Sequence, residues 1–382
     1  MKGKLQLKEI IWEIIPTCKN GCKYCGSKEL RDIKPNNKHI MSILDKILEY
    51  PPEKIDISGG DPLLLDICTH QNIVGRLKQK NIEVKILCNP FSLDKNDTNI
   101  EKLRLYDWVG FSINNEEEID AYNKFFENKT SFSNQTIITN FNLSNIFLFD
   151  EIRNFVRTMV TPLWMVQFTI YRDQDNSMAI YNNEKAVDEF FKKLQETRES
   201  FQEIDLVLSD NLNDSPCSAG INSIGITYDG HVIPCLAMRC WMTNNEIISN
   251  SQGNLISEKS SNKLEDIWKH EFINCRFNQF KCCKEHCKCK SFIFDESVLT
   301  MKMVEDIIKK RKKSKKNSEE ESDESRYPNE YLKLIKELEK TKPDKNSVYV
   351  YGVTTGDYTT TASSYTLDSN DIKKYSKKNK LK

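Results

Sequence analysis

Three cysteines, Cys18, Cys22 and Cys25, stand at C-x3-C-x2-C spacing directly after an apolar run from Ile10 to Ile15. Thiolates are soft ligands that select zinc, copper(I) or iron–sulfur. A cuboidal cluster is normally held by four cysteines, and the next one along the chain is Cys68. If only these three bind, one iron keeps an open position, which turns an electron-transfer cluster into a catalytic one. The competing reading is a structural zinc site completed by a distant ligand.

A second group of cysteines lies beyond residue 200. Cys217 and Cys235 are spaced C-x12-G-x4-C around Asp229-Gly230. The stretch Ile224–Tyr228, Asp229-Gly230, His231–Ile233 reads as a β-hairpin whose turn is supplied by Asp-Gly. Cys240, Cys275 and the compressed C-C-x3-C-x-C run of Cys282, Cys283, Cys287 and Cys289 follow. These suit one or two further four-cysteine clusters, or a zinc knuckle built from the same thiols. His231, His270 and His286 lie among them, but lone histidines are more often surface or core residues. Cys68 and Cys88 read as buried small apolar residues rather than ligands.

Composition excludes several function classes. The 382-residue chain carries 56 Lys+Arg against 56 Asp+Glu, so no global field points to nucleic acid. No stretch approaches the ~20 apolar residues of a membrane span, and the basic N-terminus lacks a cleavage pattern. Thirteen cysteines in such a chain read as metal ligands in a reducing cytoplasm rather than as disulfides.

The elements that must position the triad alternate in a β/α rhythm over the first two hundred residues. Strands are expected at 7–15, 54–58, 83–88, 107–113, 136–139 and 164–170. Helices are expected at 40–48, 67–80, 116–126, 147–157 and 183–200. Six strands with crossover helices imply a parallel sheet buried on both faces. Functional residues at the C-terminal strand ends suit a curved or barrel-like sheet. After residue 308 comes a basic block, 309–316, and then an acidic one, 319–324, which together read as a solvated linker. A short helix with Tyr331, Leu334, Ile335 and Leu338 follows, stopped by Pro343. The remainder is rich in Tyr, Thr and Ser.

A C-x3-C-x2-C triad after a first strand, with Gly59-Gly60-Asp61-Pro62 after the second, resembles the radical S-adenosylmethionine enzymes over roughly residues 7–200. The resemblance implies a [4Fe-4S] cluster on Cys18, Cys22 and Cys25, its open iron chelated by the amino and carboxylate groups of S-adenosylmethionine. Reductive cleavage then yields a 5′-deoxyadenosyl radical that abstracts a hydrogen atom. In this family Gly59 and Gly60 would admit the methionine ammonium, and Asp61 stands where Glu is common. Asn89, Ser112 and Asn114 match strand-end positions that contact the cofactor, and Gln167 is a further polar strand-end residue. The later cysteines resemble the SPASM or Twitch extension, which binds one or two auxiliary four-iron clusters. Cys217 and Cys235 match its hairpin pair, whereas the later run departs from its usual spacing.

Members with this extension commonly modify ribosomally made peptides, with a flavodoxin or ferredoxin as electron donor. The tail has a leader–core look: a helical segment, a proline stop, then a cysteine-free stretch holding Val350-Tyr351-Gly352. That triplet resembles the X-Tyr-Gly motif of peptide spliceases, which excise a tyramine unit. A linker of about 35 residues spans roughly 30 Å, enough to return to a barrel mouth. With about six residues before the first strand, peptide recognition needs this tether or a separate leader-binding protein.

The expectation is therefore a partial (β/α)6 barrel over 1–204 and a cysteine-rich auxiliary domain over 205–300. A charged linker over 301–326 and a flexible, precursor-like or disordered tail over 327–382 complete it. The expected reaction is hydrogen abstraction from a ribosomal peptide, with splicing at Val350-Tyr351-Gly352 as the most specific candidate. Alternatives are tyrosine crosslinking or epimerisation, oxidation of a protein residue in trans, or a non-catalytic zinc-stabilised binding module.

Overall fold

The computed structural model describes residues 2–3, 6–22, 25–93, 98–127, 132–160, 163–168, 180, 183–209, 218–240, 242–258, 260–270, 347–352 and 361–366. The chain divides into two compact units. One comprises Leu7–Leu212 and Ser223–Ile267; the other comprises Met1–Gln6, Asn213–Asn222 and Trp268–Lys382.

The first unit is built on a nine-stranded sheet. Seven strands lie side by side in chain order: β2 (Glu9–Ile15), β3 (Lys54–Gly59), β4 (Glu83–Cys88), β5 (Trp108–Ser112), β6 (Gln135–Phe141), β7 (Leu163–Phe168) and β8 (Asp205–Leu208). All six neighbouring pairs are parallel. At the other edge β9 (Ser223–Ile226) pairs parallel with β2, and β10 (Val232–Ile233) pairs antiparallel with β9. The expected six strands are all present. The sheet also runs past residue 204, taking in β8 at one edge and the β9–β10 hairpin at the other. The short β8, with one flank polar, carries too little periodicity to stand out from its surroundings.

Six helices cross between the parallel strands: α1 (Asn37–Glu49), α2 (Ile67–Lys78), α3 (Thr98–Leu103), α4 (Glu116–Phe126), α5 (Phe149–Arg157) and α6 (Glu184–Ser200). Four begin on an Asx cap, whose side-chain oxygen accepts an otherwise orphaned N–H. Asn36 accepts from His39 N, Asp66 from Thr69 N, Asn115 from Glu118 N and Asn183 from Ala186 N. Ile40, Ile43, Leu44 and Ile47 recur at helical spacing on α1 and are buried.

The strands alternate, and this departs from the expected two-sided burial. Trp12, Ile57, Phe111, Ile137 and Trp164 point to the helix layer and are fully buried. Their neighbours Ile11, Asp56, Ser58, Ser112, Ile138 and Gln167 are only half-buried on the inner face. A parallel sheet curved into an open barrel leaves such a face for a ligand instead of a second helix layer. Of the two cysteines expected in the core, Cys88 is buried on β4, whereas Cys68 on α2 is exposed. Cys68 falls on the helix face opposite Ile73, Val74 and Leu77, which line the core.

In the second unit β1 (Lys2–Gly3), β12 (Thr361–Thr366) and β11 (Ser347–Gly352) form a small sheet. Tyr351 and Gly352 of the candidate splice triplet lie on β11, opposite Ala362 and Thr361. Among the described residues no helix is long and apolar enough to cross a membrane.

Candidate functional site

The cysteine loop leaves β2 at Ile15 and is fastened by backbone. Gly60 N–H donates to Ile15 C=O at 2.7 Å, and Asp61 N–H donates to Thr17 C=O at 2.8 Å. Glycine is required on β3 for this approach: a Cβ on Gly59 would stand 2.3 Å from Ile15 O, and one on Gly60 2.2 Å from Thr17 O. Gly59 also has a φ of +141°, in the region that favours glycine. The two glycines thus seat the chain's own exit into the cysteine loop.

Across the loop, Cys18 N–H donates to Arg31 C=O at 3.4 Å, and an Arg31 Nη donates to Cys22 C=O at 2.7 Å. Asn20 N–H donates to Cys18 Sγ at 3.3 Å. The Thr17 hydroxyl donates to Ile33 C=O. All three thiols are half-buried. Burial pushes the Cys18 thiol up, with Asp61 and Cys25 adding to the effect and Arg31 opposing it. Burial likewise pushes Cys22 up to about 11, with Glu118, Cys25 and Cys18 raising it further. The thiols are therefore near enough to repel one another's charge, and each needs a cation to become a thiolate. Among the described residues no three His, Cys, Asp or Glu side chains are gathered at ligating distance as they stand. The donor set still suits a cationic cluster: three soft sulfurs, partly desolvated, beside a guanidinium whose buried Nε has no partner among the described residues.

Two further strands end in the same way. Asp61-Pro62-Leu63-Leu64 follows β3 and Asn89-Pro90-Phe91-Ser92 follows β4. In each, the Asx oxygen accepts the N–H two residues on, Leu63 N at 3.2 Å and Phe91 N at 2.9 Å. Proline at the next position preorganises the tight helical turn. Asp61 is 3% exposed and also hydrogen-bonds Ser92. Its carboxylate is thus engaged within the chain, and its backbone is the part that meets the cysteine loop.

The polar strand-end residues expected from the sequence come together around a residue that reading did not single out. Glu118 is 2% exposed at the start of α4. It accepts Asn89 Nδ2 at 2.7 Å, Asn114 N at 2.6 Å and Asn114 Nδ2 at 3.0 Å. Asn114 Nδ2 also donates to Ser112 Oγ at 3.0 Å, and Asn114 Oδ1 accepts from Asn140 N at 2.8 Å. Gln167 donates to Asn140 Oδ1. Both side-chain amides, Asn89 and Asn114, therefore hold the strand ends in place. Ser112 receives Asn114 on its oxygen and retains its own hydrogen for donation. A signal for Glu118 existed: Asn115 followed three residues later by Glu is a helix-start pattern.

Glu13 and Arg239 were also missed. Glu13 is a charge inside an apolar strand, which calls for a buried partner, and Arg239 supplies it. The β9–β10 hairpin forms as expected, with Thr227 C=O accepting Gly230 N–H at 2.9 Å and Gly230 at φ +88°. Cys235 and Cys240 are half-buried just beyond it. His231 is turned toward Ser251, with Nδ1 3.1 Å from its carbonyl oxygen. Cys217, Cys275, Cys282, Cys283, Cys287, Cys289 and His286 lie outside the described residues.

Residues 12–136 match the Radical SAM superfamily. They are a radical SAM domain, and a chain carrying that domain is a radical S-adenosylmethionine enzyme. No curated protein matches the chain. Among solved structures, the chain is similar to Streptococcus suis SuiB, at 14% identity over 69% of this chain and 66% of that one, with a TM-score of 0.47. SuiB bound to precursor peptide SuiA is matched at 14% identity over 69% and 65%, with a TM-score of 0.46. The enzyme anSMEcpe with bound AdoMet is matched at 13% identity over 66% and 82%, with a TM-score of 0.46. The chain spans just under two thirds of the length of the SuiB chains.

Proposed function

We propose that the protein is a peptide-modifying radical enzyme, with Cys18, Cys22 and Cys25 holding its [4Fe-4S] cluster. The observation that carries this reading is the seat of the cysteine loop. Backbone from Gly59, Gly60 and Asp61 fixes its exit beside β2, at the C-terminal ends of the parallel strands. Ligands bind at that end of such sheets. With S-adenosylmethionine bound to a reduced cluster, this site supplies a 5′-deoxyadenosyl radical for hydrogen abstraction.

The chain's own residues have three tasks in this reading. Gly59 and Gly60 place the loop, and Ser112 offers a hydroxyl donor at the mouth. The half-buried inner face, with Ile138, Met165 and Gln167, leaves room for an extended substrate. The substrate class is a ribosomally made peptide, and the specific candidate reaction is tyramine excision at Val350-Tyr351-Gly352. Cys217, Cys235, Cys282, Cys283, Cys287 and Cys289 are proposed ligands of one or two auxiliary clusters. A flavodoxin or ferredoxin in a reducing cytoplasm would be the electron source.

Anaerobic reconstitution with iron and sulfide, followed by S-adenosylmethionine and reductant, tests the class. Iron-dependent 5′-deoxyadenosine is expected, and replacing Cys18, Cys22 or Cys25 by Ala should abolish it. Mass spectrometry of the C-terminal fragment after the same incubation tests the substrate. A loss of tyramine supports splicing, and a loss of two hydrogens would replace splicing by crosslinking. An unchanged fragment would place the substrate on another chain.

A further inference from the structure

Arg239 lies in the turn Leu236–Cys240 and is 4% exposed. Its Nε donates to Glu13 Oε2 at 3.1 Å, Nη2 donates to the same oxygen at 2.5 Å, and Nη1 donates to Asn244 Oδ1 at 2.6 Å. Glu13 is 2% exposed, and its other oxygen accepts the Ser27 hydroxyl at 2.5 Å. Glu13 Oε2 also accepts Tyr228 N–H at 3.3 Å. One carboxylate therefore ties together β2, the segment just after Cys25, the hairpin turn and the turn that ends at Cys240.

A steric contact reinforces this electrostatic one. A Cβ on Gly26 would stand 2.7 Å from both the carbonyl carbon and oxygen of Arg239, and 2.8 Å from its Cβ. The residue after Cys25 is thus in backbone contact with Arg239, while Ser27 shares Arg239's carboxylate. A buried charge pair with every donor engaged tolerates little displacement, because moving either partner leaves an uncompensated charge.

We propose that Arg239 is a positioning residue for the cysteine loop, holding Cys25 in register through Glu13, Ser27 and Gly26. The two cysteine regions are then mechanically coupled, although Arg239 lies 226 positions beyond Glu13. Displacing the Leu236–Cys240 turn releases the last thiol of the triad. The consequence for iron loading rests on the reading that the triad holds a cluster; the coupling of turn to loop does not.

The test uses the full-length chain in wild-type, Arg239→Met, Arg239→Lys and Ser27→Ala forms. In metal-free protein, iodoacetamide labelling is read by mass spectrometry at Cys25, with exposed Cys68 as reference and buried Cys88 as reporter of global unfolding. Arg239→Met should raise the Cys25 to Cys68 labelling ratio by about tenfold with Cys88 still protected, because local opening no longer breaks a buried pair. Ser27→Ala should give a smaller rise, and Arg239→Lys should restore part of the protection. After reconstitution, Arg239→Met should hold less iron and sulfide per chain than wild type. An unchanged Cys25 ratio, or Cys88 labelled in step with Cys25, overturns the proposal. Should Arg239→Met not yield folded protein, the Cys25 ratios of Ser27→Ala and Arg239→Lys decide it by the same criterion. Wild type that takes no iron at the triad, with Cys25 still unmasked in Arg239→Met, would sink the cluster reading while leaving the positioning role intact.

Discussion

The carbonyl oxygen of Thr17 lies 2.2 Å from where a Cβ on Gly60 would stand. The next residue, Asp61, donates its N–H to that same oxygen at 2.8 Å. This contact fixes where the cysteine loop begins, so its disturbance should act on metal loading as well as on stability.

Gly60→Ala is expected to cost about 1–3 kcal/mol, the usual range for overpacking against atoms that cannot retreat. Here the obstructing atoms are backbone carbonyls of Pro16 and Thr17, so the loop exit must shift. Urea denaturation reads the stability loss, and iron content after reconstitution reads the displacement. An alanine variant with wild-type values in both would show that the clamp is slack. Gly75→Ala serves as the control, since its Cβ would meet nothing within 4 Å.

His70 makes the loop pH-sensitive. It is 1% exposed, with Nδ1 2.6 Å from Tyr106 Oη and Nε2 3.1 Å from Pro62 O. Pro62 O can only accept, so Nε2 carries the hydrogen and Nδ1 accepts from Tyr106. Burial, helped by the Lys102 charge, lowers His70 to about 4. Because the folded value is depressed, the stability is fully present above ~6.5, the unfolded value, and is lost as pH falls toward 4. The loss should approach about 3 kcal/mol across that window. His70→Asn should be less stable than wild type at pH 7 and should lose less between pH 7 and 5. Equal slopes for the two proteins would contradict the buried neutral imidazole.

Much of this architecture was legible because it is written in local chemistry. Cys18, Cys22 and Cys25 announce themselves by spacing, Gly59-Gly60 by the absence of side chains, and Asp229-Gly230 by its turn. The strand positions follow from apolar runs, and α1 from Ile40, Ile43, Leu44 and Ile47. What escaped was tertiary. Glu13 and Arg239 are paired across the whole barrel sequence, so no local window contains both. Glu118 stands among three consecutive glutamates, and only the fold turns one of them inward. Asp61 and Asn89 read as cofactor ligands because of their strand-end positions. The structure engages both side chains in capping the turns that Pro62 and Pro90 begin.

Asp56 offers a stability gain. It lies on the inner face of β3 with its Oδ1 buried and without a hydrogen-bond partner among the described residues. Burial is the main cause that raises it to about 7; Glu9 raises it further, and Lys85 and Lys54 oppose this. A carboxyl raised in the folded state contributes stability below ~3.9, the unfolded value, and loses it as pH climbs toward 7. Asp56→Asn removes this titration. At pH 8 it should be more stable than wild type by up to about 4 kcal/mol, with the gap closing near pH 4. Thermal melts at the two pH values check this, and a gap that widens in acid would reverse the sign of the argument.

Glu118 is where the mouth can be tested without touching a cysteine. Its carboxylate accepts three donors, so Glu118→Gln places an amide NH2 against N–H groups of Asn89 and Asn114 that still need an acceptor. The expected cost is about 1–3 kcal/mol, the penalty of buried donors left unsatisfied. Glu118→Ala should cost at least as much, and its effect should not add to that of Asn89→Ala, because each single change already breaks their shared bond. A double-mutant cycle should give a coupling of about 0.5–3 kcal/mol. Strict additivity would mean that the 2.7 Å contact between Asn89 Nδ2 and Glu118 carries no energy. In the proposed enzyme the same variants should weaken S-adenosylmethionine binding several-fold, since Ser112 is oriented through Asn114. Isothermal titration into reconstituted Glu118→Gln protein would separate this loss from the loss of stability.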